Sequence, residues 1–158
     1  MADDLLSRFS AKNGPIVPPV RVTELAALLG FQVVYLSLVD DEFSALVSTR
    51  EKLIGINGRH HRHRQRFSLC HELAHVLLRH PPEARCTKRE IALFNAEADE
   101  CAAELLMPTE LLKGWLQRTR NTAALARIFD VSEEAMIRKL ASAGMSRGLG
   151  TGAGEPEP

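Results

Sequence analysis

Cysteine, tryptophan and tyrosine are scarce in this 158-residue chain, which has three, one and one of them. Cys70, Cys86 and Cys101 are odd in number and form no CxxC pair, which argues against a disulfide framework and a cysteine-only zinc knuckle; they read as reduced thiols. Net charge is absent too: 20 basic residues balance 20 acidic ones, so no global field draws the protein to nucleic acid or to an anionic membrane. No apolar run approaches the roughly 18 residues of a membrane span. The opening Met1-Ala-Asp-Asp-Leu lacks the basic and then apolar regions of a signal peptide. The expectation is a cytoplasmic protein without a membrane partner. With 45% apolar residues the chain can bury one core, so one compact α+β domain with a helical appendage is expected.

Residues 1–19 end in the turn-rich run Asn13-Gly-Pro-Ile-Val-Pro-Pro and read as a lead-in, with a short helical stretch at Leu5 to Phe9 and organised structure from about Val20. Thr23 suits the N-cap of a first helix closed by Gly30. Phe31–Leu38, Ser44–Ser48 and Lys52–Ile56 are rich in strand formers, with Asp-Asp and Thr-Arg-Glu-Lys at the joints, and predict a small antiparallel sheet. From about His63 to Arg79 the period changes to that of a helix, with Leu69, Leu73, Val76 and Leu77 on one stripe and Pro81-Pro82 beyond its end. A long helix follows from Thr87 or Lys88 to Met107. Shorter ones are expected at Glu110–Arg118, capped by Thr109, at Thr122–Phe129 and at Ser132–Ala143. The division is a core domain over 20–118, a helical part over 119–143 and a disordered tail over 144–158, which is rich in glycine and ends Glu-Pro-Glu-Pro.

His71-Glu-Leu-Ala-His75 has the HExxH form. Two histidines one turn apart on a helix can bind one ion while the glutamate between them stands beside it. Shuffling this composition yields the pattern by chance about 2% of the time, so a second signal is needed. The apolar stripe supplies part of it by lying on the side away from the histidines. A downstream helix supplies the rest, because a catalytic zinc needs a third protein ligand and an open position. That helix reads Glu97-Ala-Asp-Glu-Cys-Ala-Ala-Glu-Leu-Leu-Met-Pro108, where small alanines at 98, 102 and 103 allow close approach. Glu97 is the expected third ligand; Glu100, Glu104 and Cys101 are rivals that spacing alone does not exclude.

The two blocks, Arg66-Phe-Ser-Leu-Cys-His-Glu-Leu-Ala-His75-Val-Leu-Leu and Glu97 to Pro108, resemble the ImmA/IrrE family of metallopeptidases, with the likeness running over roughly residues 18–143. The resemblance implies a zincin-like domain with a helix-turn-helix-like C-terminal part. It implies His71, His75 and Glu97 as metal ligands, although relatives often carry a further acidic residue where this chain has Asn95. It also implies cleavage of a helix-turn-helix repressor, which switches on stress, phage or mobile-element genes; an antitoxin is a related substrate. Zinc is the expected ion and manganese the alternative. In the corresponding mechanism the ion polarises the scissile carbonyl and its bound water, while Glu72 moves the proton to the leaving amine. The competing expectation is a metal-binding regulator or toxin–antitoxin partner that binds without cutting.

Other motifs carry weaker expectations. Arg59-His-His-Arg-His-Arg-Gln-Arg66 reads first as a solvated connection and helical turn, then as a contact for an acidic partner or an accessory metal site at His60, His61 and His63. Ile54–Asn57 suits either a buried strand or an edge strand that pairs with a substrate. The segment from Thr122 resembles a helix-turn-helix with Leu125, Ile128, Val131, Met136 and Leu140 as packing positions. Glu133 and Glu134 at the start of its second helix would be repelled by phosphate, so direct nucleic-acid binding is not expected. Tyr35 and Trp115 read as core residues, and Cys70 with Cys101 as a conceivable redox switch.

Overall fold

The computed structural model describes residues 1–37 and 42–150. Among these are seven α-helices and a three-stranded sheet. Helix α1, Ala2–Asn13, has Asp3 and Asp4 in its first turn and Lys12 in its last, signs that suit the helix dipole. It buries Leu5, Leu6 and Phe9 and packs on the fourth helix, so the expected lead-in is part of the core. The apolar spacing within Leu5–Phe9 was enough to dock it. Helix α2, Val22–Leu28, is preceded by Arg21, not capped by Thr23, and gives way to Gly30 at φ 82°, a conformation glycine adopts freely.

Strands β1 (Gln32–Leu36), β2 (Ala45–Ser48) and β3 (Leu53–Asn57) form a sheet in the order β1-β3-β2. The sheet is mixed where an antiparallel one was expected: β2 and β3 pair antiparallel, β1 and β3 parallel. Connection length is the reason. Residues 49–52 close a tight hairpin, whereas 37–44 are long enough to leave room for β3 between the other two strands. Leu38 at the end of the expected first strand, and Asp40-Asp41 after it, lie outside the described residues. Gly55 lies at the centre, where an added Cβ would stand 3.1 Å from Leu36 Cδ1 and that side-chain end would have to give way. Ile54, Ile56 and Asn57 are buried, so β3 is the inner strand and the edge-strand reading of Ile54–Asn57 is corrected. Tyr35, expected in the core, is 56% exposed on edge strand β1.

Helix α3, Arg62–Leu78, stops at Arg79 with φ 57°, and His80 follows as its chain turns away. A short 3-10 turn at Glu83–Arg85 leads to α4, Lys88–Leu106. Thr87 and Glu90 start α4 with a reciprocal capping box: Glu90 N–H donates to Thr87 Oγ1 at 3.3 Å and Thr87 N–H to Glu90 Oε2 at 2.8 Å. Helices α3 and α4 form the main helix pair, with Ala74, Ala98 and Ala102 fully buried so that the backbones approach. Helices α5 (Thr109–Leu116), α6 (Thr122–Phe129) and α7 (Glu133–Ser142) complete the chain. Asn121 and Ser132 cap the last two by accepting from Ala124 and Ala135 N–H.

One apolar cluster runs from Leu5 through Leu69, Leu73 and Leu105 to Leu140. The α6–α7 pair is therefore anchored to the same core as the sheet. Asp130, at φ 55° between those helices, faces Arg62 at 2.6 Å, Arg66 at 3.2 Å and His63 at 3.4 Å. Arg66 also donates to the Asp130 and Val20 carbonyls, each at 3.1 Å. Residues 144–150, expected to be disordered, pack Met145 and Leu149 on the core, and Gly150 exchanges hydrogen bonds with Arg120 and Thr122. The Glu-Pro-Glu-Pro end lies outside the described residues.

Candidate metal centre and active site

Leu69 and Leu73 are buried beneath α3, which turns His71 and His75 the other way, toward α4. Five side chains then form a continuous arc. Asp99 Oδ1 lies 2.7 Å from His71 Nδ1, and His71 Nε2 lies 3.0 Å from His75 Nε2. His75 Nδ1 lies 2.9 Å from His80 Nδ1, and His80 Nε2 lies 3.0 Å from Glu97 Oε2. Carboxylates from α4 thus stand at both ends of three imidazoles.

Counting protons along this arc shows what it can hold. With neutral rings, His71 donates from Nδ1 to Asp99 and His80 from Nε2 to Glu97. His80 Nδ1 is then an acceptor, filled by the Nδ1–H of His75. Both protons nearest the centre are used up, and the Nε2 lone pairs of His71 and His75 face each other across 3.0 Å. A cation between them would resolve that opposition, and a carboxylate on the far ring nitrogen is the usual support of a metal-binding histidine. Burial, then the neighbouring His71 and His80, pushes the His75 pKa down to about 4, so a proton is a poor substitute for a metal there. The pair therefore offers two nitrogen donors to a divalent ion.

Glu72, beside the pair on α3, is half-buried. Burial raises its pKa, the nearby His71 opposes this and Glu83 adds to it. A carboxyl perturbed in that direction suits proton transfer near neutrality.

The structure brings His71 and His75 together and puts Glu97 on the same cluster, at its His80 end. Among the described residues no three His, Cys, Asp or Glu side chains converge on one point. Glu104 is engaged elsewhere: it accepts from Thr109 N–H and Oγ1–H, each at 2.7 Å, and pairs with Lys139. Burial raises its pKa, but those bonds more than offset this and hold it below the usual value. Glu100 is exposed and lines a neighbouring cavity. Cys101 is half-buried, and burial raises its thiol pKa; the fully buried Cys70 is pushed up to about 12, which leaves little thiolate for redox chemistry.

Sequence reasoning missed His80 and Asp99. His80 lies beyond α3, so helical spacing does not place it with His75, yet the left-handed Arg79 folds it back and Phe94 stacks on its ring at 4.6 Å. Its position five residues after His75 was the available signal. The basic run from Arg59 begins α3 as the ordinary reading has it, with Arg62 and Arg66 on Asp130 and Arg64 on Ser44.

Residues 26–141 match the model of the Peptidase_M78 family, described as the IrrE N-terminal-like domain, and the protein belongs to this family. Membership supports a metallopeptidase or regulatory role. No curated protein matches the sequence. A solved structure described as a Mycobacterium tuberculosis transcriptional regulator is similar at TM-score 0.69 and 17% identity, over 89% of this chain and 46% of that one. This chain thus spans about half the length of that regulator, and at this identity the likeness concerns the fold alone. Among the described residues no helix is long and apolar enough to cross a membrane.

Proposed function

We propose that the protein is a zinc-dependent endopeptidase acting on a protein substrate in the cytoplasm, with His71, His75 and Glu97 as metal ligands and Glu72 as general base and acid. The observation that carries this reading is the opposition of the two Nε2 atoms beside a half-buried glutamate with a raised pKa. A bound zinc ion, or manganese in its place, supplies Lewis acidity toward the scissile carbonyl and toward water. Glu72 accepts the proton of the attacking water and passes it to the leaving amine. Asp99 and His80 hold the rings of His71 and His75 in the required tautomers. Glu97, bonded to His80 at the end of the cluster, would be the third ligand of such an ion.

The substrate we infer is a helix-turn-helix repressor or antitoxin, consistent with the family and with the inducible stress, phage or mobile-element genes such repressors control. Direct nucleic-acid binding has little support, since Arg138 pairs with Glu134 and Lys139 with Glu104. A second reading, partner binding without proteolysis, draws on the bond between Glu97 and His80, which leaves only two donors facing each other. Elemental analysis and two variants separate the two. The peptidase reading expects about one equivalent of zinc, lost in His71→Ala, and mass-spectrometric cleavage of a helix-turn-helix repressor encoded beside this gene, abolished in Glu72→Gln. Protein that stays metal-free after zinc addition overturns it. Repressor inactivation that survives Glu72→Gln establishes the binding reading instead.

A further inference from the structure

A cavity of about 950 Å³ opens between α4, the start of α5 and α7, and it adjoins the imidazole cluster without enclosing it. Two of its lining residues tie it to the site: Asp99, which bonds His71, and Phe67, whose ring lies 6.3 Å from that of His71. Ala103, Met107, Ala135 and Met145 give it an apolar floor. Its volume falls in the range of built ligand pockets and exceeds what one side chain needs, so it suits a few residues of a peptide.

The charges on its walls are unequal. Each lining cation has a carboxylate partner: Lys139 pairs with Glu104, Arg138 with Glu134 and Lys113 with Glu110. The converse does not hold. Asp99 bonds only a histidine ring, and Glu100 makes no hydrogen bond or ion pair among the described residues. Uncompensated negative charge therefore collects at the end nearest His71, while the floor stays apolar.

We propose that this cavity is a substrate subsite that takes the peptide on one side of the scissile bond, with an arginine or lysine side chain set against Glu100 and Asp99. Such a side chain fits both features at once, its aliphatic stem lying along Ala103 and Met107 and its cationic head meeting the carboxylates. The subsite rests on the peptidase reading for its role, but its charge preference can be measured without turnover.

The test uses two short fluorescent peptides of alanine and leucine that differ only in a central lysine or glutamate. Binding is followed by anisotropy on zinc-treated Glu72→Gln protein, so that nothing is cut. The lysine peptide is expected to bind about tenfold more tightly, with the order reversed by Glu100→Lys and binding of both weakened by Ala143→Trp, which places a bulky ring on the cavity lining. Thermal melts verify that the variants fold, and Glu100→Gln serves if Glu100→Lys does not; it should level the two affinities. Equal binding of both peptides, a preference unchanged by the Glu100 variants, or no binding of either overturns the subsite. The same peptides with unmutated protein report on the other reading: a charge preference without cleavage keeps the subsite and counts against peptidase activity, and cleavage without preference does the opposite.

Discussion

Replacing His80 by alanine removes two ring contacts, at 2.9 Å to His75 and 3.0 Å to Glu97, from a side chain that is only 5% exposed and stacked on Phe94. The first contact decides which nitrogen of His75 carries the proton; without it, the proton is free to move to Nε2 and block the metal-facing lone pair. Loss of such supporting partners lowers metal affinity roughly 10- to 100-fold, about 1.4 to 2.8 kcal/mol. Fold stability falls by a similar amount, about 1 to 2 kcal/mol for the vacated space and unsatisfied groups, which for a chain of this size shifts Tm by roughly 2 to 8 °C. Zinc affinity measured by chelator competition separates the effects when paired with melts of metal-free protein. His80→Gln, which keeps a donor and an acceptor, should recover part of the affinity. The reasoning is refuted if His80→Ala folds and binds zinc within about twofold of the unmutated protein.

Two more expectations follow from the ion-pair network and from the titrating groups. Asp130→Gly removes the carboxylate shared by Arg62, His63 and Arg66 but tolerates φ 55°. A loss of about 2 to 3 kcal/mol is expected, because burial already lowers the Arg66 pKa against the pull of Asp130. Asp130→Ala should cost about 1 kcal/mol more for its left-handed backbone, and urea unfolding that shows no penalty beyond that of Arg62→Ala, an exposed partner, would count against the network. In metal-free protein His75 titrates at about 4 in the fold against 6.5 when unperturbed. Its folded pKa is depressed, so its stabilisation is present above 6.5 and lost as pH falls toward 4. Discounted for its partial exposure, this amounts to about 1 to 2 kcal/mol. Glu72 has the opposite sign: its raised pKa favours the fold at low pH, and that contribution is lost as pH rises through the folded value. Melts are therefore compared in a Glu72→Gln background, where adding His75→Gln should flatten the fall in Tm on acidification; parallel curves would show that His75 is not the group responsible.

Local pattern determined a good deal by itself. The turn-to-turn spacing of His71 and His75 and the stripe at Leu69 and Leu73 are relations within a few residues on one helix, so periodicity was sufficient to read them. The pairing of the α3 and α4 blocks was legible as well, because alanines at a helix seam announce close approach. Sheet order was not. The pairing of β1 with β3 depends on which strand enters a gap left by a long connection, and strand propensity carries no information about that. The docking of α1 escaped for a related reason, although a short helix at Leu5–Phe9 was legible: burial of Leu5, Leu6 and Phe9 requires a partner surface supplied by α4, far away in sequence. The arc from Asp99 through three histidines to Glu97 likewise exists only once α4 packs on α3 and Arg79 turns His80 back. Residue types and short spacings specify which groups can do chemistry. Tertiary packing decides which of them meet, because the directional contacts of a site join side chains that the chain itself keeps apart.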